Sequence, residues 1–182
     1  MISTKTGDKG KTYWQNQRLS KACPNFDFIG DLDELSSLLG VVRSFLEPKW
    51  QTLHQDLVAI QKDLMLISSL AAYAHMININ QALHDLKSHL ATMEAKMEKI
   101  EKSLPQQKHF IILGGSKAGA FLHFARSVTR RCERQAVAYF KNPKENKISQ
   151  VVLPYLNRLS DYLYLLARWV NHQLNIKEIH WT

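Results

Sequence analysis

The densest chemistry in the chain lies just after Phe110-Ile111-Ile112-Leu113-Gly114-Gly115-Ser116, where His123, Arg126, Arg130 and Arg134 recur at steps of three or four residues. That spacing stacks them along one face of a helix. Like charges so placed repel one another, which makes the row more informative than a mixed Glu/Lys surface would be. Guanidinium forks grip phosphate oxygens at two points, and lysine does so less well. The face suits a polyanion, with Arg131 and Glu133 beside it; a solvated basic surface is the competing account.

Three further segments could supply partners. Thr4-Lys5-Thr6-Gly7-Asp8-Lys9-Gly10-Lys11-Thr12 combines glycines, which let backbone amides converge, with lysine charge and threonine hydroxyls, as a phosphate chain requires. It is not a P-loop, because Lys5 stands where that pattern needs glycine and no buried strand precedes it. Gly30-Asp31-Leu32-Asp33-Glu34-Leu35 reads as a helix start. Its acids either complement the helix dipole or hold an arginine or a hydrated magnesium ion. In the run from Tyr155 to Arg168, Asn157, Asp161, Tyr164 and Arg168 share a helix face beside an apolar stripe. Polar groups there need partners, either in a structural network or on the arginine helix.

The elements that position these residues are helical. Apolar residues recur every three or four positions in Leu35, Leu38, Val42 and Phe45; in Trp50 through Ala71; in Leu83 through Leu104; and in Val152 through Val170. Another helix is expected over residues 116–140, after the double glycine and before Asn142 and Pro143. An all-α, up-and-down bundle of about five helices follows, as one domain over residues 1–182. Residues 1–28 lack any sustained period and read as a loop, ordered on binding.

The net charge of +8 calls for a polyanionic partner without choosing among nucleic acid, anionic membrane and nucleotide. No run of eighteen apolar residues occurs and the first fifteen residues are polar, so neither a membrane span nor a signal peptide is expected, and the protein should be cytoplasmic. Cys23 and Cys132 lack metal-site spacing and read as reduced thiols. There is no E-x-x-H pair, no H-E-x-x-H and no G-x-S-x-G, so neither a di-iron centre nor an activated serine is indicated.

Taken in order, T-K-T-G-D-K-G at 4–10, G-D-L-D-E-L at 30–35, G-G-S followed by L-H-F-A-R-S-V-T-R-R-C-E-R at 122–134, and L-N-R-L-S-D-Y-L at 156–163 resemble the ATP:cob(I)alamin adenosyltransferases, the PduO-type corrinoid adenosyltransferase family. Ile60-Gln61-Lys62-Asp63-Leu64 also fits the family's second helix. The resemblance implies a homotrimer with active sites between subunits. ATP would be bound by Thr4, Lys5, Thr6, Gly7, Thr12, Tyr13 and Lys21 of the N-terminal loop and by Arg130, Arg131, Glu133, Arg134 and Asn157. Magnesium would assist the triphosphate, and Asp33 would pair with Arg126 across the interface. Phe110 would keep the lower face of cobalamin free of its dimethylbenzimidazole. No protein-held metal site, membrane or nucleic acid is implied; an electron-donating reductase is.

The activity implied is transfer of the 5'-deoxyadenosyl group of ATP to cob(I)alamin, with release of tripolyphosphate. Two other functions stay open at this stage: a carrier or sensor of adenosylcobalamin, and a helical nucleic-acid-binding protein using the arginine row. Four departures from the family pattern stand out. Leu113 replaces the proline usual before the double glycine, Asn16 replaces a glycine, Trp14 replaces a smaller aliphatic residue, and Cys23-Pro24-Asn25-Phe26 replaces a stretch that usually carries an arginine.

Overall fold

The computed structural model describes Ser3 and residues 5–15, 17–144 and 146–181; Thr4 and Asn16, both singled out above, lie outside the described residues. Five helices form the body: α1 (Asn25–Ser44), α2 (Gln51–Tyr73), α3 (Ile79–Ser103), α4 (Lys117–Tyr139) and α5 (Ser149–Gln173). The expected bundle is present, with α5 packed against α4 and α3, and α1 packed against α4 and α2.

The stripes of α2 and α5 are buried as their spacing implies, whereas Phe45, at the end of the first stripe, is 40% exposed. Leu53, Leu57, Ile60, Leu64, Ile67 and Leu70 of α2 are buried, as are Val152, Leu156, Leu159, Leu163, Leu166 and Val170 of α5. Fully burying one such side chain contributes roughly 1.5–3 kcal/mol, so these rows account for most of the drive to associate. By length and composition alone, Pro48–Met76 could cross a membrane, a property that the search for uninterrupted apolar runs does not detect. Its stripe is spent within the bundle, and 44% of the apolar window is buried there. The buried Asp63 on that face accepts hydrogen bonds from Tyr155 Oη at 2.7 Å and His89 Nδ1 at 2.8 Å. Nearby, Lys96 Nζ and Tyr162 Oη reach Asp56 at 2.5 and 3.3 Å, joining α3 and α5 to α2.

Two expectations need correction. The N-terminal segment is not irregular throughout: β1 (Lys11–Trp14) and β2 (Gln17–Ser20) form an antiparallel hairpin, with Lys11 opposite Ser20 and Trp14 opposite Gln17. Its strands are too short to register as a period, and Trp14, buried against Phe26 and Tyr139, supplies the anchor that a hairpin of this size lacks alone. Helix α1 begins at Asn25, not near Gly30, because Pro24 starts the turn and Phe28 already belongs to the buried stripe with Leu32, Leu35, Leu39 and Val42. Asp31, Asp33 and Glu34 are therefore beyond the first turn, and the helix-dipole account of them falls away. A second small sheet, unforeseen from the sequence, pairs β3 (Ile111–Ile112) with β4 (Ile179–His180).

Candidate functional site

Helix α4 links the regions of interest. Ser116 Oγ accepts from Gly119 N at 2.9 Å and caps its start, while Tyr139 at its other end meets Trp14 of the hairpin, with ring centroids 6.3 Å apart. Along it the arginine row passes from core to surface. His123 is buried, Arg126 half-buried, and Arg130 and Arg134 exposed. His123 thus leaves the polar row expected from its spacing. Its ring lies against Tyr164 of α5 at 5.7 Å, and burial, with Arg126 nearby, lowers its pKa to about 4, so it is neutral near pH 7.

Among the described residues, no carboxylate pairs with Arg126, Arg130 or Arg134. Arg126 instead stands over the Tyr164 ring, 5.5 Å from its centroid, and Arg134 Nη1 donates to the Arg130 carbonyl at 3.1 Å. Arg131 points elsewhere. Its Nε donates to Asp31 Oδ1 at 3.1 Å and its Nη2 to Glu34 Oε2, fastening α4 to α1. Of the acids at 31–34, two are thus spent on an arginine within the chain, whereas Asp33 is exposed and Asp31 Oδ2 is buried with no partner among the described residues. Glu133 and Asn157 do meet, Asn157 Nδ2 donating to Glu133 Oε1 at 3.0 Å. Cys132 beneath them is sealed: burial, helped by the Asp31 carboxylate, pushes its thiol up to about 12, which leaves no thiolate for chemistry.

The hairpin carries the other candidate phosphate ligands. Lys5 and Gly10 take positive φ values of 55° and 70°, bending the loop back on itself, and Lys21 N donates to Gly10 O at 2.8 Å. The Lys21 ammonium lies over the loop, 3.0 Å from where a Cβ on Gly7 would stand, so any larger residue there would push it aside. Arg18 Nη2 donates to the Thr6 carbonyl, and its guanidinium sits 5.9 Å from the Tyr13 ring, which is 64% exposed. Thr12 is paired with Leu19 in the hairpin. Arg18 escaped the sequence reading; a cation one hairpin turn from the Lys/Thr/Gly motif is the signal that could have found it.

Phe110 is at the other end of α4. Its ring is 76% exposed, which removes the possibility that it anchors the core, and its carbonyl accepts from Trp181 N at 2.8 Å. It lines a 740 Å³ cavity with Gln107, Lys108, His109 and Trp181. Tyr164 Oη donates to Gln107 Oε1 at 2.7 Å, tying the floor of this region to the helix that faces Arg126. Asp161 lies on the face expected, lining a cavity with Gln107, Tyr164 and Arg168, and its Oδ2 accepts from Arg158 Nη1 at 3.1 Å.

Among the described residues, no three His, Cys, Asp or Glu side chains are grouped so as to hold a metal ion. A small hard cation with few protein ligands keeps waters and takes its remaining oxygens from phosphates. A magnesium ion would fit here only alongside the oxygens of a bound phosphate chain, not in a cage of protein ligands.

A family model described as cobalamin adenosyltransferase matches residues 2–170 of the chain. The corrinoid adenosyltransferase of Bacillus subtilis (strain 168) is 34% identical over 182 residues, covering 99% of this chain and 91% of its own length. A variant of the PduO-type ATP:co(I)rrinoid adenosyltransferase from Lactobacillus reuteri, solved in complex with ATP, superposes with a TM-score of 0.85 at 32% identity and 100% coverage of both chains. A second variant of that enzyme, complexed with cobalamin and ATP, gives a TM-score of 0.84 at 32% identity, covering 100% of this chain and 96% of the other.

Proposed function

The chain belongs to the cobalamin adenosyltransferase family and adenosylates cobalamin with ATP, and we propose that it does so in sites shared between the subunits of a homotrimer. The observation that carries the shared site is a separation. Trp14 of the hairpin meets the C-terminal end of α4 and Phe110 lies beyond its N-terminal end, so the two are about 35 Å apart along a 23-residue helix. That exceeds the reach of a nucleotide whose C5' must touch the cobalt. A hairpin from one subunit set against the Phe110 end of its neighbour closes the gap.

The division of labour follows from charge and exposure. Cob(I)alamin is the nucleophile: its cobalt electron pair attacks C5', the cobalt–carbon bond forms, the C5'–O5' bond breaks, and tripolyphosphate leaves with that bonding pair. The protein needs no nucleophile of its own. Arg130 and Arg134, exposed and paired with no carboxylate among the described residues, neutralise the departing triphosphate, and Arg131 offers the N–H groups that Asp31 and Glu34 leave unused. Glu133 and Asn157, already joined, hold the nucleoside end. Thr4, Lys5, Thr6, Gly7, Thr12, Tyr13 and Lys21 wrap the nucleotide from the other side, with magnesium carried on its phosphates. Asp33, exposed on α1, pairs with Arg126 of an adjacent subunit. Phe110 covers the lower face of the corrin and excludes an axial ligand, which makes Co(II) easier to reduce by the reductase partner.

Free Cys23 and the sealed Cys132 agree with a reducing cytoplasm, and the working complex requires neither a membrane nor a nucleic acid. Anaerobic incubation of the purified chain with ATP, magnesium and cob(I)alamin tests the reading. Adenosylcobalamin and tripolyphosphate should form in equal amounts, in material that sediments as a trimer. Turnover by a monomer at nanomolar concentration would refute the shared site.

A further inference from the structure

The last turns of α5 hold the Phe110 segment at both of its ends. On the near side, the buried Arg168 donates Nη2 to the Pro105 carbonyl at 3.1 Å and grips Glu178 with Nε at 2.6 Å and Nη2 at 3.2 Å. Glu178 immediately precedes β4, the strand that pairs with β3. On the far side, one helical turn along, Asn171 is 5% exposed and bonds to the turn at 114–116 three times. Its Oδ1 accepts from Ser116 N and Ser116 Oγ, both at 2.9 Å, and its Nδ2 donates to Gly114 O at 2.8 Å.

The fit around this carboxamide is tight. A Cβ added at Gly115 would stand 2.3 Å from Asn171 Nδ2, and one at Gly119 would stand 2.3 Å from Oδ1, so the amide occupies the space that two glycines leave. Gly115 also has φ of +108°, which disfavours any side chain. Leu113 places no ring constraint on the backbone, so the rigidity of the turn comes from this clamp and not from the residue before it. Phe110 itself, with its ring largely in solvent, has little packing to fix its position.

We propose that Asn171 is a positioning residue for adenosyl transfer: its carboxamide sets the 114–116 turn, and through β3 the height and tilt of the Phe110 ring beneath the corrin. The inference rests on the assignment of Phe110 to the lower face of the corrin. Asn171 touches neither substrate. A purely structural role would lower stability and leave the kinetics of the folded fraction unchanged. A positioning role alters corrinoid handling while sparing ATP, whose ligands lie elsewhere on α4 and in the hairpin.

The test compares Asn171→Ala, Ser116→Ala and Phe110→Ala in the full chain. Each is assayed for the four-coordinate fraction of bound cob(II)alamin with ATP, by optical or paramagnetic spectra, and for the separate KM values of corrinoid and ATP. Asn171→Ala should lower the four-coordinate fraction or raise the corrinoid KM by about tenfold, the equivalent of one strong hydrogen bond, with the ATP KM unchanged. Ser116→Ala, which removes one of the three bonds together with the side-chain cap of α4, should shift the same quantities less, and it stands in if Asn171→Ala does not fold. Parental spectra and corrinoid KM in the folded clamp variant, alongside loss of the four-coordinate species in Phe110→Ala, would overturn the positioning role alone. Retention of that species in Phe110→Ala would overturn the assignment beneath it.

Discussion

Two small sheets decorate the bundle, and they are held in opposite ways. The β1–β2 hairpin joins neighbours in sequence, so it costs little loop entropy to close, and it is fastened to the helices through Trp14 against Phe26 and Tyr139. The β3–β4 pair joins Ile111 to His180 across all of α4 and α5, and it rests on buried polar grips from Arg168 and Asn171. An apolar anchor fixes where a segment sits and leaves its tip free to wrap a ligand. A hydrogen-bonded frame fixes orientation, because the bonds are directional. The first suits a loop that closes on a nucleotide, and the second suits a ring that must stand at a set height.

The strongest way to break this contrast is Phe110→Ala. Because the ring is exposed, truncation should leave the melting temperature nearly unchanged and yet reduce conversion of cob(II)alamin to product by about a hundredfold, the scale of a misplaced reacting group. A marked loss of stability with normal turnover would reverse the roles of the two sheets. Next in size, Arg130→Ala should weaken ATP binding or turnover by about tenfold to a hundredfold through a lost charge-assisted contact, with the corrinoid KM steady. Wild-type kinetics in that variant would make the arginine row a solvated surface.

Trp14→Ala sharpens the comparison from the other side. The hairpin should loosen, at a cost of about 3–5 kcal/mol, and the ATP KM should rise several-fold while residues 110–116 keep their hydrogen-exchange protection. Equal loss of protection in both sheets would show that they are not independent. The smallest effect concerns His123, which lies on α4 between the two regions. Its folded pKa of about 4 is below the ordinary value of 6.5, so the unfolded chain binds the extra proton between those values. Stability should therefore decline as pH falls from about 6.5 towards 4 and be insensitive to this group above that window. Urea midpoints of His123→Gln and the parent, compared at pH 7 and pH 5, should converge at the lower pH; parallel declines would clear His123 of any part in it.

Much of this was legible beforehand where local rules operate. The stripe from Trp50 to Ala71 became α2, and Ser116 capped α4 where the double glycine announced it. Gly30 misled, because a glycine inside α1 reads like a boundary when Phe28 is not counted with the stripe. Spacing alone groups His123 with the arginines, although Tyr164 of α5 packs against that turn of α4. No motif marks Asn171, yet a polar residue in step with Leu163 and Ala167 on a buried face is itself a signal that it must find partners.

The sequence by itself determined the helical class, the row of arginines along one helix, and the motif order that points to corrinoid adenosylation, because periodicity, charge and motif spacing are properties of short stretches of chain. Only the tertiary structure decided that Arg131 belongs to Asp31 and Glu34, that Phe110 faces outward, and that Asn171 fills the space of two glycines. Those outcomes turn on which groups meet across tens of residues. Such meetings are settled by packing and by the cost of leaving a buried polar atom alone, and neither quantity exists until the helices have come together.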